Sequence, residues 1–156
     1  MTIRRANVND TEKVMSLLSD VLELHARIRP DIFISGTTKY SESELDAIFR
    51  DDNRPVYVAV DENDIVRGYA FCALREQPFS SNMRPFTSLF IDDLCVESTQ
   101  RGKGTGKALL DFVKAEARRL GCYEVTLNVW EGNDSARAFY EKQGMKVKES
   151  MMEFIL

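Results

Sequence analysis

Gln100-Arg101-Gly102-Lys103-Gly104-Thr105-Gly106-Lys107 is the stretch of this chain best equipped for chemistry. Three glycines in five positions let the backbone turn tightly and aim its N–H groups at an anion. A helical pattern begins at Gly104, and the positive end of its dipole adds to the attraction. Arg101, Lys103 and Lys107 contribute full charges. The segment reads as a phosphate cradle, best suited to a pyrophosphate. Two common phosphate loops do not fit. A P-loop would need Gly at 101 and Ser or Thr at 108, where the chain has Arg101 and Ala108. A Gly-x-Gly-x-x-Gly dinucleotide fingerprint would place its third glycine on Lys107 or Leu109.

Other reactive side chains flank the loop. Asp92 and Asp93 lie in the apolar run that leads up to it, Ile91-Asp92-Asp93-Leu94-Cys95-Val96. Strand alternation puts Asp92 on a face with Leu94 and Val96, and Asp93 on a face with Cys95. His25 is the only histidine, and no nucleophile elbow accompanies it, so a Ser-His-Asp centre is not supported; packing or a substrate-side role suits it better. Cys72, Cys95 and Cys122 sit in apolar segments without metal-ligand spacing and read as buried reduced thiols. No metal is expected.

These residues must be positioned by a scaffold, and its elements are legible. Residues 3–6 read as a short strand. Val14, Leu17, Leu18, Val21, Leu22 and His25 recur at helical spacing within a helix over 9–29 that Pro30 ends. Ser41-Glu42-Ser43-Glu44 is a capping box opening a short helix to about Arg50. Strands over 56–60 and 65–74 flank a polar turn and form a hairpin. A loop over 75–85 precedes a strand over 86–97. A helix over 104–120 follows the glycine loop and stops at Gly121. A strand over 123–129 comes next, then a helix capped by Asn133 and ended by Gly144, then a closing strand or hairpin over 145–156. Strands joined through a helix should be parallel and the hairpin antiparallel. The expected fold is α/β: one domain over 1–156 with a central mixed sheet and helices on both faces.

The loop fits the pattern Arg/Gln-x-x-Gly-x-Gly, and in this the chain resembles the GNAT family of acetyl-CoA-dependent N-acetyltransferases. A second stretch, Asn133-Asp134-Ser135-Ala136-Arg137-Ala138-Phe139-Tyr140-Glu141-Lys142-Gln143-Gly144-Met145, is similar to that family's downstream motif, with Met145 in place of the usual Phe. The order of elements also resembles the family's fold along nearly the whole chain. The resemblance implies acetyl-CoA as acetyl donor, with its pyrophosphate on Arg101, Gly102, Lys103, Gly104, Thr105, Gly106 and Lys107. It implies that the strand before the loop parts from its parallel neighbour, so that backbone groups of Leu94, Cys95 and Val96 bond the pantetheine arm. Asn133 and Ala136 extend the cofactor site. Tyr140 corresponds to the family's general acid, and Asp92 to a carboxylate suited to act as general base through water. The implied reaction is direct attack by a primary amine in a ternary complex, without a covalent intermediate. The alternative is a non-catalytic acyl-CoA-binding regulatory module on the same fold.

Composition agrees with one soluble enzyme-sized domain: 156 residues, 44% hydrophobic and 29% charged. A net charge of -4 argues against nucleic acid as a partner. No apolar run is long enough for a membrane span and the amino terminus lacks a signal core, so a cytoplasmic location is expected. The acceptor is a small-molecule or peptide amine. Acids such as Glu23, Asp31, Glu42, Glu44 and Asp46 suit a cationic amine or polyamine, and equally a solvated surface. A homodimer is left open.

Overall fold

The computed structural model describes residues 1–77 and 80–156. Strands β1 (Thr2–Arg5), β2 (Val56–Val60), β3 (Val66–Glu76), β4 (Thr87–Val96) and β5 (Glu124–Leu127) form one sheet in the order β1-β2-β3-β4-β5. The first three pairings are antiparallel, and β4 with β5 is parallel. Helices α1 (Thr11–Ile28), α2 (Glu42–Phe49), α3 (Thr105–Arg119) and α4 (Asp134–Lys142) complete the element set. This is the expected mixed sheet, with boundaries shifted by one or two residues at most ends.

The helices divide between two faces because alternate strand residues serve two cores. Val56, Val58, Tyr69, Phe71 and Cys95 pack with Val14, Leu17 and Leu45 of α1 and α2. Tyr57, Ala59, Ala70, Leu89 and Ile91 pack with Leu109, Leu110 and Val113 of α3. Every residue of β2 is buried, as a strand covered on both faces requires. The capping box at Ser41 forms as read: Ser41 accepts from the Glu44 N–H and Glu44 accepts from the Ser41 N–H.

Two expectations fail. Residues 145–156 form neither a strand nor a hairpin. That segment contains no Gly, Pro, Asn or Asp, the strongest turn formers, and only Ser150 among the weaker ones. Strict alternation along β4 also fails. Phe71 pairs with Asp93 and Cys72 with Ile91, which leaves Asp92 unmatched in a β-bulge. Of the expected 75–85 loop, Pro78 and Phe79 lie outside the described residues; β3 runs on to Glu76, and Ser80 bridges Met83.

Candidate active site

Register opens the site. β4 and β5 pair only from Ser88↔Glu124 to Ile91↔Leu127. β4 then continues to Val96 with no β5 residue opposite Leu94, Cys95 and Val96. The result is a strand edge that no β5 residue pairs, and it can bond an extended amide-bearing ligand as another strand would. At the end of β4, Glu97 accepts from Lys13 of α1 at 2.5 Å and from Arg67 of β3 at 2.9 Å. The Lys13 bond, ahead of the opposing effect of burial, holds the Glu97 carboxyl down at about 2. These bonds fix the point at which the chain enters the glycine loop.

In the loop, Gly102 and Gly104 have φ of 75° and 87°, values that side chains rarely tolerate, and only open space lies where a Cβ would stand. Gly104 is the N-cap of α3 and makes no side-chain cap. Among the described residues, the N–H groups of Gly102, Gly104, Thr105, Gly106 and Lys107 bond no carbonyl. Unpaired donors on a helix amino terminus favour an anion there. Gly106 has a different task. A Cβ on it would stand 3.3 Å from Phe139 and 3.5 Å from Val96, so its absence lets α3, β4 and α4 converge.

The structure thus brings together Val96, the 101–106 loop and the Phe139–Tyr140 end of α4. Arg101 donates from Nε to the Val96 carbonyl at 3.3 Å. Lys107 is bonded to Asp111, one turn along α3, and Lys103 has no ion-pair partner among the described residues. Thr105 is buried at the start of α3. Asn133 caps α4 by accepting from the Ala136 N–H at 3.4 Å, which places both at the opposite end of that helix from Tyr140.

The two aspartates share the α1/α2 face because of the bulge. Leu94 and Val96 pack with α3, whereas Tyr69, Tyr40 and Cys95 belong to the other core. Asp92 pairs with Lys39 at 2.7 Å in a half-exposed ion pair. Asp93 accepts from the Tyr69 hydroxyl at 2.9 Å. The expectation that Asp92 faces with Leu94 and Val96 is therefore corrected; the grouping of Asp93 with Cys95 stands. Burial pushes the Asp93 carboxyl up to about 6, although the Tyr69 bond and Lys39 oppose the rise. Tyr140 is pushed well above its ordinary range by burial and then by Asp93 and Cys95, so it keeps its proton at neutral pH. Burial, with Asp93 next, pushes the Cys95 thiol up to about 12, which leaves it a poor nucleophile. His25 is held below its usual pKa, chiefly by burial, and stacks at 5.2 Å against Phe33.

Beside Asp92, a cavity of about 190 Å³ is lined by Tyr40, Arg54, Phe71, Arg75 and Phe90, among others. Arg75 lies 3.5 Å over the Phe90 ring, and neither Arg54 nor Arg75 forms an ion pair among the described residues. The sequence reading did not place Tyr69 against Asp93, Lys39 against Asp92, or Arg54 and Arg75 beside Asp92. Register across β3 and β4 sets Tyr69 and Arg75 near the aspartates, whereas Lys39 and Arg54 reach them from the segments before α2 and before β2. Among the described residues no group of side chains has metal-binding geometry, and no helix is long and apolar enough to cross a membrane.

The family model for the "Acetyltransferase (GNAT) family" matches residues 18–145. The chain belongs to the GNAT acetyltransferase family. Among curated proteins it is similar to the glucosamine 6-phosphate N-acetyltransferase of Arabidopsis thaliana, 39% identical over 62 residues, 40% of each chain. The enzyme of the same name from Trypanosoma brucei brucei is 36% identical over 66 residues, 42% of this chain and 43% of that one. The chain therefore matches less than half the length of these relatives. Among solved structures, a mutant of the BH1408 protein from Bacillus halodurans superposes with a TM-score of 0.95 at 33% identity, over 100% of this chain and 99% of that one.

Proposed function

We propose that the chain is an N-acetyltransferase that moves an acetyl group from acetyl-CoA to a primary amine by direct attack in a ternary complex. The observation that carries this reading is the parting of β4 from β5 beside a glycine loop in which the N–H groups of Gly102, Gly104, Thr105, Gly106 and Lys107 bond no carbonyl among the described residues. The residues fit acetyl-CoA: the loop and Arg101 would hold its pyrophosphate, and the open edge at Leu94–Val96 would take its pantetheine amides. Asn133 and Ala136 extend that site along α4, with Lys103, Thr105 and Lys107 at the loop. Acetyl-CoA supplies an activated thioester; the protein supplies orientation and proton transfer.

Attack needs an unprotonated amine. Asp93 suits the base role because a carboxyl near pH 6 is mostly ionised at neutral pH yet basic enough to accept a proton. Asp92, more exposed and already holding an ammonium from Lys39, suits the docking of the incoming amine. This departs from the expectation of Asp92 as base, and the bulge is the reason. Tyr140, protonated and close to Asp93 and Cys95, suits donation to the departing thiolate. No covalent step is invoked, because the buried thiol of Cys95 is protonated.

Arg54 and Arg75 beside Asp92 favour an amine that also carries an anionic group, rather than the polyamine that surface acids suggested. Relatives named for glucosamine 6-phosphate fit that chemistry. A panel of glucosamine 6-phosphate, glucosamine, spermidine and a lysine peptide tests it. Turnover should be best with the phosphorylated amine, and Arg75→Gln should raise its KM about 10-fold or more, the scale of one charge-assisted contact. Preference for spermidine would refute the anionic-acceptor reading while leaving acetyl transfer intact.

A further inference from the structure

A second cavity lies away from the cofactor cleft, between the β1–β2 edge of the sheet and the carboxy-terminal half of α3. Its volume is about 510 Å³, within the range of small-molecule pockets, and its walls include Arg5, Pro55, Tyr57, Phe112, Glu116 and Leu120. None of these residues belongs to the acetyl-CoA or amine sites proposed above. Strand pairing explains why polar groups converge there. Arg5 of β1 stands directly opposite Tyr57 of β2, so both side chains point to the same face of the sheet. The Arg5 guanidinium donates through Nη2 to the Asp51 carbonyl at 2.7 Å. Its Nη1 makes no bond among the described residues, and its Nε, out of water, makes none either. A buried donor left unpaired costs stability, and one in a native fold calls for an explanation.

The acids on the walls are already matched. Glu116 accepts from Arg119 Nε at 3.1 Å and Nη2 at 2.8 Å. Asp52 stands 3.6 Å from Arg5 Nη2 with its side chain wholly exposed, where water screens it. The Tyr57 hydroxyl reaches Glu116 only at 3.5 Å. Burial, with Glu116 next, pushes the Tyr57 pKa up to about 12, so the hydroxyl keeps its proton and remains a donor. The unused polar capacity is therefore donor capacity, from Arg5 and Tyr57. Beside it the Phe112 ring meets the Tyr57 ring edge-on at 5.1 Å, and Leu120 and Pro55 complete an apolar wall. We propose that this cavity binds a small organic carboxylate with an aromatic body, the carboxylate on Arg5 and Tyr57 and the ring against Phe112 and Leu120. The planar guanidinium matches the two oxygens of a carboxylate, and Phe112 can meet a second ring in an offset or edge contact. A cation would face Arg5 and Arg119, and both acids already have an arginine. The proposal holds whether or not the acetyl-transfer reading does.

Calorimetry with phenylacetate as the probe should find one site per chain with a Kd of about 1 mM or tighter. Acetate, which lacks the ring, and phenethylamine, which reverses the charge, should each bind at least about 10-fold more weakly. Arg5→Gln should weaken phenylacetate by about 10-fold or more, the scale of one charge-assisted contact. Leu120→Asp should also weaken it, by setting a negative charge at an exposed position on the rim, and decides the matter if Arg5→Gln does not fold. Arg75→Gln, in the cavity beside Asp92, should leave phenylacetate affinity unchanged. No saturable binding up to about 10 mM phenylacetate overturns the proposal. So does phenethylamine that binds as tightly, or an affinity that follows Arg75 and ignores Arg5 and Leu120.

Discussion

Asp93 sits where a charged carboxylate is least welcome. Its folded pKa of about 6 lies above the ordinary 3.8, so the protonated form is the one that folding favours. The associated stability is complete below pH 4 and is lost as pH rises through about 6. Asp93→Asn keeps an acceptor for the Tyr69 hydroxyl and removes the charge. Thermal melting at pH 7–8 should find it more stable than the wild type by on the order of 1–3 kcal/mol, the gain vanishing below about pH 4. The same change should lower the kcat/KM plateau by about 10²–10⁴-fold and abolish an inflection near pH 6. A variant that melts lower at pH 8 would show Asp93 to be a structural hydrogen-bond partner instead. Asp92→Asn breaks a half-exposed pair and should change stability by only about 0.5 kcal/mol. Its main effect should fall on the KM for the amine. Tyr140→Phe should reduce kcat by about 10²-fold with acetyl-CoA affinity intact, because the ring that packs with Phe139 remains. An unchanged kcat with chemistry rate-limiting would reduce Tyr140 to packing.

The helices and strands impose the geometry that these residues exploit. Gly104→Asp would put a side chain at a φ of 87° and a negative charge where phosphate is expected, so calorimetry should find acetyl-CoA binding lost with the fold intact. Gly106→Val differs in kind. It would wedge α3 away from Phe139 and Val96, costing about 1–3 kcal/mol in stability as well as weakening the cofactor. Wild-type melting in Gly106→Val would mean that the convergence of α3 and α4 is loose. At this scale the sequence was readable where a signal is local: the glycine loop, the Ser41 capping box and the Asn133 cap each rest on a few adjacent residues. It was not readable where structure depends on pairing across the sheet. Alternation assigned Asp92 and Asp93 to opposite faces; the bulge opposite Phe71 and Cys72 gathers them on one. No feature of Asp92 or Asp93 alone announces that bulge. A closing strand or hairpin was expected over 145–156, but the segment pairs with no strand and is tied to the body through Lys148–Glu124 and Arg29–Glu153.

At the scale of the whole molecule, two cores clamp one sheet, and main-chain pairing does not close the seam between β4 and β5 beyond Ile91 and Leu127. In the proposed reaction this seam holds acetyl-CoA while an amine attacks it directly. Saturating acetyl-CoA should therefore raise the melting temperature through linkage. The most direct measurement is the initial rate of CoA thiol release with both acetyl-CoA and glucosamine 6-phosphate varied, with mass spectrometry of amine and protein. Direct attack in a ternary complex predicts intersecting double-reciprocal lines, a mass gain of one acetyl on the amine, and none on the protein. Parallel lines with an acetylated protein would contradict direct attack. Tight acetyl-CoA binding with no thiol release for any amine in the panel would contradict catalysis itself and identify a regulatory module.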